Sequence, residues 1–402
     1  MRDKLVIVGV TGGIAAYKAA ELVRGLVKAG AQCRVAMTEN ASKFITPLTF
    51  EALSGHRVVT RMFDPDTMPM DHINWGQEAA LVIIAPATAN FVAKMAHGLA
   101  DDFLSTMVLA ATARILVCPA MNAQMWKSPA VRENLRVLRS RGVEVLDPGS
   151  GFLACRAEGP GRLPEPEDIV ETAHAVLSPK DLSGRKILVT AGATVEPMDP
   201  VRYITNRSSG KMGYAIARAA CMRGADVVLV SGPSSQKIPL RCRVVAVRSA
   251  EDMKRAVFAE RTDCDAIVKA AAVVDYRPLE AAGQKIKKDR ESMTLELVRN
   301  PDILADLGRD REDWGGVLVG FAAETQDLLK NARLKLEAKN ADMIVANDVS
   351  RPDAGFDTDT NLVKILSRDG SVEEMPLMSK DEVANVLLDR IRELWDRTQD
   401  KS

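Results

Sequence analysis

The sequence predicts an α/β protein built of two consecutive doubly wound, Rossmann-like domains. Three observations carry this expectation. Short β-branched runs alternate with helical periodicity along the whole chain, the pattern starts afresh at Lys186 after an interruption, and the two halves open alike with Lys4-Leu-Val-Ile-Val and Lys186-Ile-Leu-Val-Thr. The likeness of the openings stops within a few residues, so it marks shared architecture rather than a repeat. At 402 residues the chain has room for two or three domains, each able to bury its own core.

In the first half, strands are expected near Lys4–Val10, Gln32–Met37, Leu81–Ala85, Arg114–Cys118 and Val143–Leu146, with helices between them. In the second, strands are expected at Lys186–Thr190, Asp226–Val230, Cys242–Val247, Asp265–Lys269, Val317–Phe321 and Asp342–Ala346. Helices at Lys211–Arg223 and Ala250–Arg261 fall among them. Alternation of this kind requires parallel sheets with helices on both faces. Proline, glycine and serine break the periodicity at Leu177-Ser-Pro-Lys-Asp-Leu-Ser-Gly184, which places the domains at 1–178 and 179–402. The polar end from Asp396 to Ser402 reads as a frayed tail.

Composition narrows the function. Lys plus Arg (54) cancels Asp plus Glu (54), so there is no electrostatic footprint of nucleic-acid binding or of a polybasic membrane surface. Apolar residues reach 47%, yet stretches such as Ala79–Ala85 fall far short of the ~20 residues that span a bilayer. The run Leu5–Val10 is too short for a signal peptide and leads into a glycine loop, so a soluble, cytoplasmic protein is expected. The six cysteines, Cys33, Cys118, Cys155, Cys221, Cys242 and Cys264, lie far apart without C-x-x-C spacing. Neither a zinc site nor a disulfide framework is indicated, and each reads by default as a small buried hydrophobe.

Three loops at the carboxyl ends of first-half strands are rich in small residues: Gly9-Val-Thr-Gly-Gly13, Ala85-Pro-Ala-Thr-Ala-Asn90 and, one helix later, Gly98-Leu-Ala-Asp-Asp102. Such loops converge on one crevice in an open α/β sheet, and the first can hold a phosphate with backbone N–H groups at a helix start. It is not G-x-G-x-x-G, so a nicotinamide dinucleotide is not supported. A tight strand-to-helix turn needs glycines in any case.

Pro119-Ala-Met-Asn122-Ala-Gln-Met-Trp126 resembles the P-x-M-N-x-x-M-W signature of flavin-dependent cysteine decarboxylases. Thr46-Pro-Leu-Thr-Phe-Glu-Ala-Leu-Ser-Gly55, Ala85–Asn90 and Leu153-Ala-Cys155 fit the same pattern. The resemblance is to the first half of the bifunctional phosphopantothenoylcysteine decarboxylase/phosphopantothenate–cysteine ligases of coenzyme A biosynthesis, and it extends over nearly the whole chain. It implies a flavodoxin-like flavoprotein fold for the first domain, and FMN held by Gly12, Gly13, Thr38, Ala87, Thr88, Asn90 and Ser105. It also implies His72 (in Met70-Asp-His-Ile73), Asn122 and Cys155 as catalytic residues. One position departs from the pattern: Arg156 follows Cys155 where the family has glycine.

The chemistry accounts for these residue types. Direct loss of CO2 from a cysteinyl carboxylate leaves a carbanion with no electron sink, whereas oxidising the neighbouring CH2–SH to a thioaldehyde supplies one. The flavin does the redox chemistry and the protein positions and protonates. The resemblance implies His72 as acid/base in the oxidative decarboxylation, Asn122 as holder of the substrate carboxylate and Cys155 as proton donor to the enethiolate. A thiol with a pKa near ~8.5 suits that last role. Out of this context, a lone histidine before an apolar strand and a lone cysteine are ordinarily structural, and Asn122 serves equally well as the cap of a helix starting at Ala123.

In the second half, Ala191-Gly-Ala-Thr194 is a phosphate-sized loop, and Val201-Arg-Tyr-Ile-Thr-Asn-Arg-Ser-Ser-Gly-Lys-Met-Gly213 resembles the second-domain signature of the same family. That half joins 4'-phosphopantothenate to L-cysteine using CTP, and the resemblance places Asn206 at an acyl-cytidylate intermediate. Further matching segments are Lys269-Ala-Ala-Ala-Val-Val-Asp275-Tyr, Lys285-Ile-Lys-Lys288, Asn300-Pro-Asp-Ile303, Val319-Gly-Phe321-Ala-Ala-Glu-Thr and Leu334-Lys-Leu-Glu-Ala-Lys-Asn340. By resemblance, CTP falls to Asp275, Lys285, Pro301, Asp302, Ile303, Phe321, Lys335 and Lys339, with Lys285 catalytic. Lys335 and Lys339, four apart, share a helical face. Lysines together with Mg2+ on the CTP phosphates stabilise the charge developed in phosphoryl transfer, and no carboxylate cage for the metal stands out. Without the family context, Lys285–Lys288 is a solvated basic loop.

The resemblance further implies a homo-oligomer, trimers assembling into a dodecamer through the decarboxylase half with FMN at subunit contacts, and dimeric ligase halves. Two rivals remain at this point. A non-catalytic flavin-binding regulatory protein of the same fold is disfavoured by the presence of His72 and Cys155, and a nicotinamide oxidoreductase by the missing fingerprints.

Overall fold

A computed structural model describes residues 1–63, 68–152, 158–287, 292–311, 314–324, 327–348 and 358–399. Cys155 and its neighbour Arg156 lie outside the described residues. Contacts divide the chain into two compact units, Met1–Ser178 and Pro179–Ser402.

The first unit holds a parallel sheet ordered Gln32–Met37, Leu5–Val10, Leu81–Ala87, Arg114–Pro119, Glu144–Val145. The strand Leu5–Val10 shows why the residues run apolar without alternation. Val6, Val8 and Val10 pack on one face with Leu22, Val23 and Leu26 of helix Lys18–Lys28 and with Ile169 and Ala173 of helix Pro166–Leu177. Ile7 packs on the other with Phe91, Val92, Phe103 and Met107. A strand covered on both faces needs apolar side chains in both directions. The order reverses between Leu5–Val10 and Leu81–Ala87, and open α/β sheets bind ligands at the carboxyl ends on either side of such a reversal.

The second unit departs from the expected all-parallel sheet. Six parallel strands are ordered Arg243–Ala246, Asp226–Ser231, Lys186–Ala191, Ala266–Lys269, Val317–Glu324, Met343–Asp348. Two antiparallel strands, Val363–Ser367 and Val372–Glu374, then extend the sheet beyond Met343–Asp348. The hairpin turns at Asp369-Gly370, where Gly370 takes φ +87° and Ser367 N–H donates to the Ser371 carbonyl at 3.0 Å. Asp-Gly is a hairpin signal that the strand count from β-branched runs overlooks. Here the order reverses between Lys186–Ala191 and Ala266–Lys269. Helix Lys211–Met222 lies so close to the first of these that a Cβ on Gly213 would fall 2.6 Å from the Ala191 Cβ.

Cys33, Cys118 and Cys264 are buried, and burial pushes the thiols of Cys33 and Cys264 up to about 12 and about 11. Cys221 and Cys242 are only half-buried, contrary to the expectation of full burial.

Each unit has its own sheet with apolar clusters on both faces. Cutting between Ser178 and Pro179 is therefore expected to give two fragments that each unfold cooperatively in urea. A fragment that is soluble only with the other present would show that the units are not independent.

Candidate functional sites

At the switch point of the first unit the Thr11–Gly13 loop faces the loop that begins at Thr88. The Thr11 hydroxyl donates to the Pro86 carbonyl (2.7 Å) and accepts from the Thr88 N–H (3.0 Å), which ties the two loops together. A Cβ on Gly12 would fall 2.4 Å from the Asn40 Cβ, so the close approach of the Thr38–Asn40 turn requires glycine there. Two cavities open here. One, of about 470 Å³, is largely polar and is lined by Thr11, Gly12, Thr38, Asn90 and Lys94 among others; the second, of about 790 Å³, is more apolar and is lined by Gly13, Ile14, Tyr17, Met121, Asn122 and Phe152 among others. Thr88 lines both and caps helix Ala89–His97.

Of the sequence-derived flavin residues, Gly12, Gly13, Thr38, Thr88 and Asn90 meet at these cavities. Ala87 is fully buried at the end of its strand. Ser105 differs: its hydroxyl and N–H form a capping box with Asp102 at the start of helix Phe103–Ala110, and Asp101 and Asp102 line the polar cavity in its place. Asn122 lines the apolar cavity and caps helix Ala123–Lys127, its Oδ1 accepting from the Gln124 N–H at 2.8 Å. His72 sits half-buried on helix Asp71–Glu78 and lines neither cavity. Lys94, paired with Asp101 (2.5 Å) and Asp102 (3.1 Å), escaped the sequence reading; the acidic pair in the third small-residue loop was its signal.

In the second unit a polar cavity of about 420 Å³ lies at the switch point. Asp275, Pro301, Asp302, Ile303, Phe321 and Lys335 line it, six of the eight residues assigned to the nucleotide. Lys335 donates to the Phe321 carbonyl (2.9 Å), and Lys339, one residue past helix Leu328–Ala338, pairs with Asp302 at 2.6 Å. Asp302 also caps helix Ile303–Arg309. Burial opposes ionisation of Asp302, but the hydrogen bonds from Lys339 and the Ala305 N–H prevail and hold its carboxyl below the usual range.

Asn206 lies at an adjoining cavity of about 300 Å³, where its Nδ2 donates to the Val273 carbonyl at 3.1 Å. Lys211, Lys380, Asn347 and Asn361 line the same cavity and were not foreseen. Asn361 is 2% exposed, and its Oδ1 has no hydrogen-bond partner among the described residues. A buried acceptor at a cavity wall is costly unless a ligand supplies the donor.

Lys285 is exposed and lines neither cavity. Its segment is nevertheless stapled in place, because the buried Asp199 carboxylate accepts from the N–H groups of Ile286 (3.1 Å), Val201 (2.8 Å) and Arg202 (2.7 Å). The Arg202 guanidinium bridges Asp199 and the Ile286 carbonyl. Burial alone would raise the Asp199 pKa, but the N–H donors of Val201, Ile286 and Arg202, with the Arg202 side chain, outweigh it and hold the carboxyl far below its ordinary value of 3.8. The folded chain thus favours the ionised form. The stabilisation is complete above the unfolded pKa and is lost as pH falls through the lower folded one. Asp199→Asn should therefore lower the urea midpoint of the second unit at pH 7, with the gap to wild type closing in the acid range below pH ~4. A gap unchanged from pH 7 to pH 3 would show that the charge of Asp199 is not what holds the loop.

Comparison with known proteins places both units. The Flavoprotein family model matches residues 1–178, and the model of the DNA/pantothenate metabolism flavoprotein C-terminal domain matches residues 182–394. The coenzyme A biosynthesis bifunctional protein CoaBC of Bacillus subtilis (strain 168) is 46% identical over 407 residues, covering 100% of both chains. That of Escherichia coli (strain K12) is 47% identical over 401 residues, covering 98% of each. The crystal structure of the C-terminal domain of a CoaBC protein, 43% identical, covers 54% of this chain and 99% of its own at a TM-score of 0.47. With both halves matched in order and nearly every residue aligned, the chain belongs to the family of bifunctional coenzyme A biosynthesis proteins.

Proposed function

We propose that the chain makes 4'-phosphopantetheine in two reactions: the second unit joins 4'-phosphopantothenate to L-cysteine with CTP, and the first decarboxylates the 4'-phosphopantothenoylcysteine so formed. The full-length relationship, embracing a flavoprotein unit and a ligase unit, carries this reading. It does not favour the non-catalytic alternative.

FMN fits the first unit. A polar recess beside an apolar one, joined at Thr88, suits a molecule with a phosphate tail and a flat ring, and the Thr11–Gly13 loop begins at a strand end where backbone N–H groups can meet the phosphate. When bound, FMN supplies a two-electron acceptor and donor. Asn122, beside the apolar recess with its oxygen engaged by Gln124, turns the donor end of its amide to the substrate carboxylate. His72 holds a proton in the oxidative step and Cys155 delivers one to the enethiolate after CO2 leaves. Because His72 lines neither recess within one chain, the reading calls on a neighbouring copy in a homo-oligomer, trimers within a dodecamer, to bring it there.

In the second unit a carboxylate oxygen of 4'-phosphopantothenate attacks the α-phosphorus of CTP. The bond to pyrophosphate breaks and its electron pair leaves with pyrophosphate. Lys285, Lys335 and Lys339 offset the charge on the phosphoryl oxygens, and Asn206 holds the acyl-cytidylate in the adjoining cavity, where the Asn361 acceptor awaits a donor from the substrate. Among the described residues no cluster of three or more His, Cys, Asp or Glu could hold a metal. Mg2+ would be held mainly by the CTP phosphates, where it would offset their charge. No described helix is long and apolar enough to cross a membrane.

The test is to give the purified chain 4'-phosphopantothenoylcysteine alone. CO2 and 4'-phosphopantetheine should appear without CTP, and the protein should carry an FMN spectrum. A colourless protein that releases no CO2 would remove the decarboxylase assignment.

A further inference from the structure

The two cavities of the second unit share a wall, formed by Lys269, Val273, Asp275, Phe321 and Lys335. Lys269 ends the strand Ala266–Lys269 at the switch point, so its side chain stands where the nucleotide cavity meets the Asn206 cavity. Among the described residues it makes no ion pair within 4.0 Å, and its Nζ donates to the Ala271 carbonyl at 3.1 Å. Lys335, the other amine in the wall, is engaged with the Phe321 carbonyl.

We propose that Lys269 is the proton acceptor of amide formation, the half-reaction in which the amine of cysteine displaces CMP from the acyl-cytidylate. The inference rests on the ligase reading of this unit. In that step the cysteine nitrogen attacks the acyl carbon and a C–N bond forms. The bond from that carbon to the CMP oxygen breaks, its electron pair leaving with CMP, and the extra proton on nitrogen passes to neutral Nζ. Lys269 then returns the proton to solvent.

The surroundings of Lys269 suit the task. Burial pushes its pKa down to about 8, Lys335 from the Leu328–Ala338 helix adds to the fall, and Asp302 and Asp275 oppose it. Lys211 and Lys380 also line the second cavity, and Lys339 pairs with Asp302. About a tenth of Lys269 is thus neutral at pH 7, and about half at pH 8. A bound triphosphate favours the ammonium, which helps hold CTP, and departure of pyrophosphate removes that negative charge and frees the amine to act as a base.

Lys269→Arg separates the two states, since arginine keeps the cation and cannot accept a proton near pH 8. With CTP, Mg2+ and 4'-phosphopantothenate but no cysteine, the variant should still release pyrophosphate in a single turnover, with a loss at least about tenfold smaller than that of amide formation. On addition of cysteine, amide formation should fall about 100-fold or more, with acyl-cytidylate accumulating. A second measurement does not depend on the variant folding. Hydroxylamine stays neutral across this pH range, and its capture by wild-type acyl-cytidylate should speed up with pH through an inflection near 8. Wild-type amide rates in Lys269→Arg, equal loss of pyrophosphate release and amide formation, or a wild-type hydroxylamine profile flat from pH 6.5 to 9.5 would each overturn the proposal. Failure of the wild-type chain to release pyrophosphate at all would instead overturn the ligase reading on which it rests.

Discussion

Lys285→Gln should lower pyrophosphate release from CTP and 4'-phosphopantothenate by about 100-fold or more, while the same protein still decarboxylates supplied 4'-phosphopantothenoylcysteine at the wild-type rate. Attack on the α-phosphorus spreads negative charge over phosphoryl and pyrophosphate oxygens, and losing one well-placed donor or cation in such a transition state costs about 3 kcal/mol. The substitution removes the charge and keeps a polar hydrogen-bonding end on a slightly shorter side chain. Lys285 is solvent-exposed and its neighbour Ile286 is held through backbone bonds to Asp199 and Arg202, so the fold should tolerate the change. Urea unfolding of the variant checks this. Wild-type pyrophosphate release would remove Lys285 from the site; a loss confined to amide formation would move it to the second half-reaction.

An equally large effect is expected at Cys155, but after the carbon–carbon bond has broken. If the thiol only delivers a proton to the enethiolate, Cys155→Ser should still release CO2 in a first turnover and yield about 100-fold less 4'-phosphopantetheine, leaving an oxidised enethiol as the product to be found by mass spectrometry. A serine hydroxyl is a far weaker acid than a thiol, and general-acid catalysis is worth about 10²–10⁴ in rate. Normal 4'-phosphopantetheine yield would make Cys155 structural. Absence of CO2 would move it to substrate binding or to the oxidative step.

Much of this was legible because the loops concerned are local. Thr11–Gly13 and the loop after Leu81–Ala87 carry small residues that can be read along the chain, and the parallel order then brings them together at the cavity. The polar cavity of the second unit gathers Asp275, the Pro301–Ile303 turn and Phe321 for the same reason. Lys269 opens a segment that matches the family, but its role was not legible. A lysine at the end of an apolar strand reads as a solvated terminus, and only the strand order, with Lys186–Ala191 on one side and Val317–Glu324 on the other, puts it between two cavities. Ser105 shows what spacing alone leaves open: a hydroxyl three residues after an aspartate suits a helix cap as readily as a ligand, and here it makes a capping box with Asp102. Asp199 was hidden because its partners lie 2, 3 and 87 residues away, and the last of these cannot be inferred from spacing.

The central claim is that one chain carries both reactions in sequence, and a single incubation tests it. The purified protein is given 4'-phosphopantothenate, L-cysteine, CTP and Mg2+, and pyrophosphate and CO2 are followed separately from the same sample. Pyrophosphate should appear first and CO2 after a lag, the two reaching equal amounts with one 4'-phosphopantetheine for each. CO2 released from 4'-phosphopantothenate and L-cysteine when CTP is left out, or pyrophosphate that accumulates with no CO2 to follow, would contradict the account.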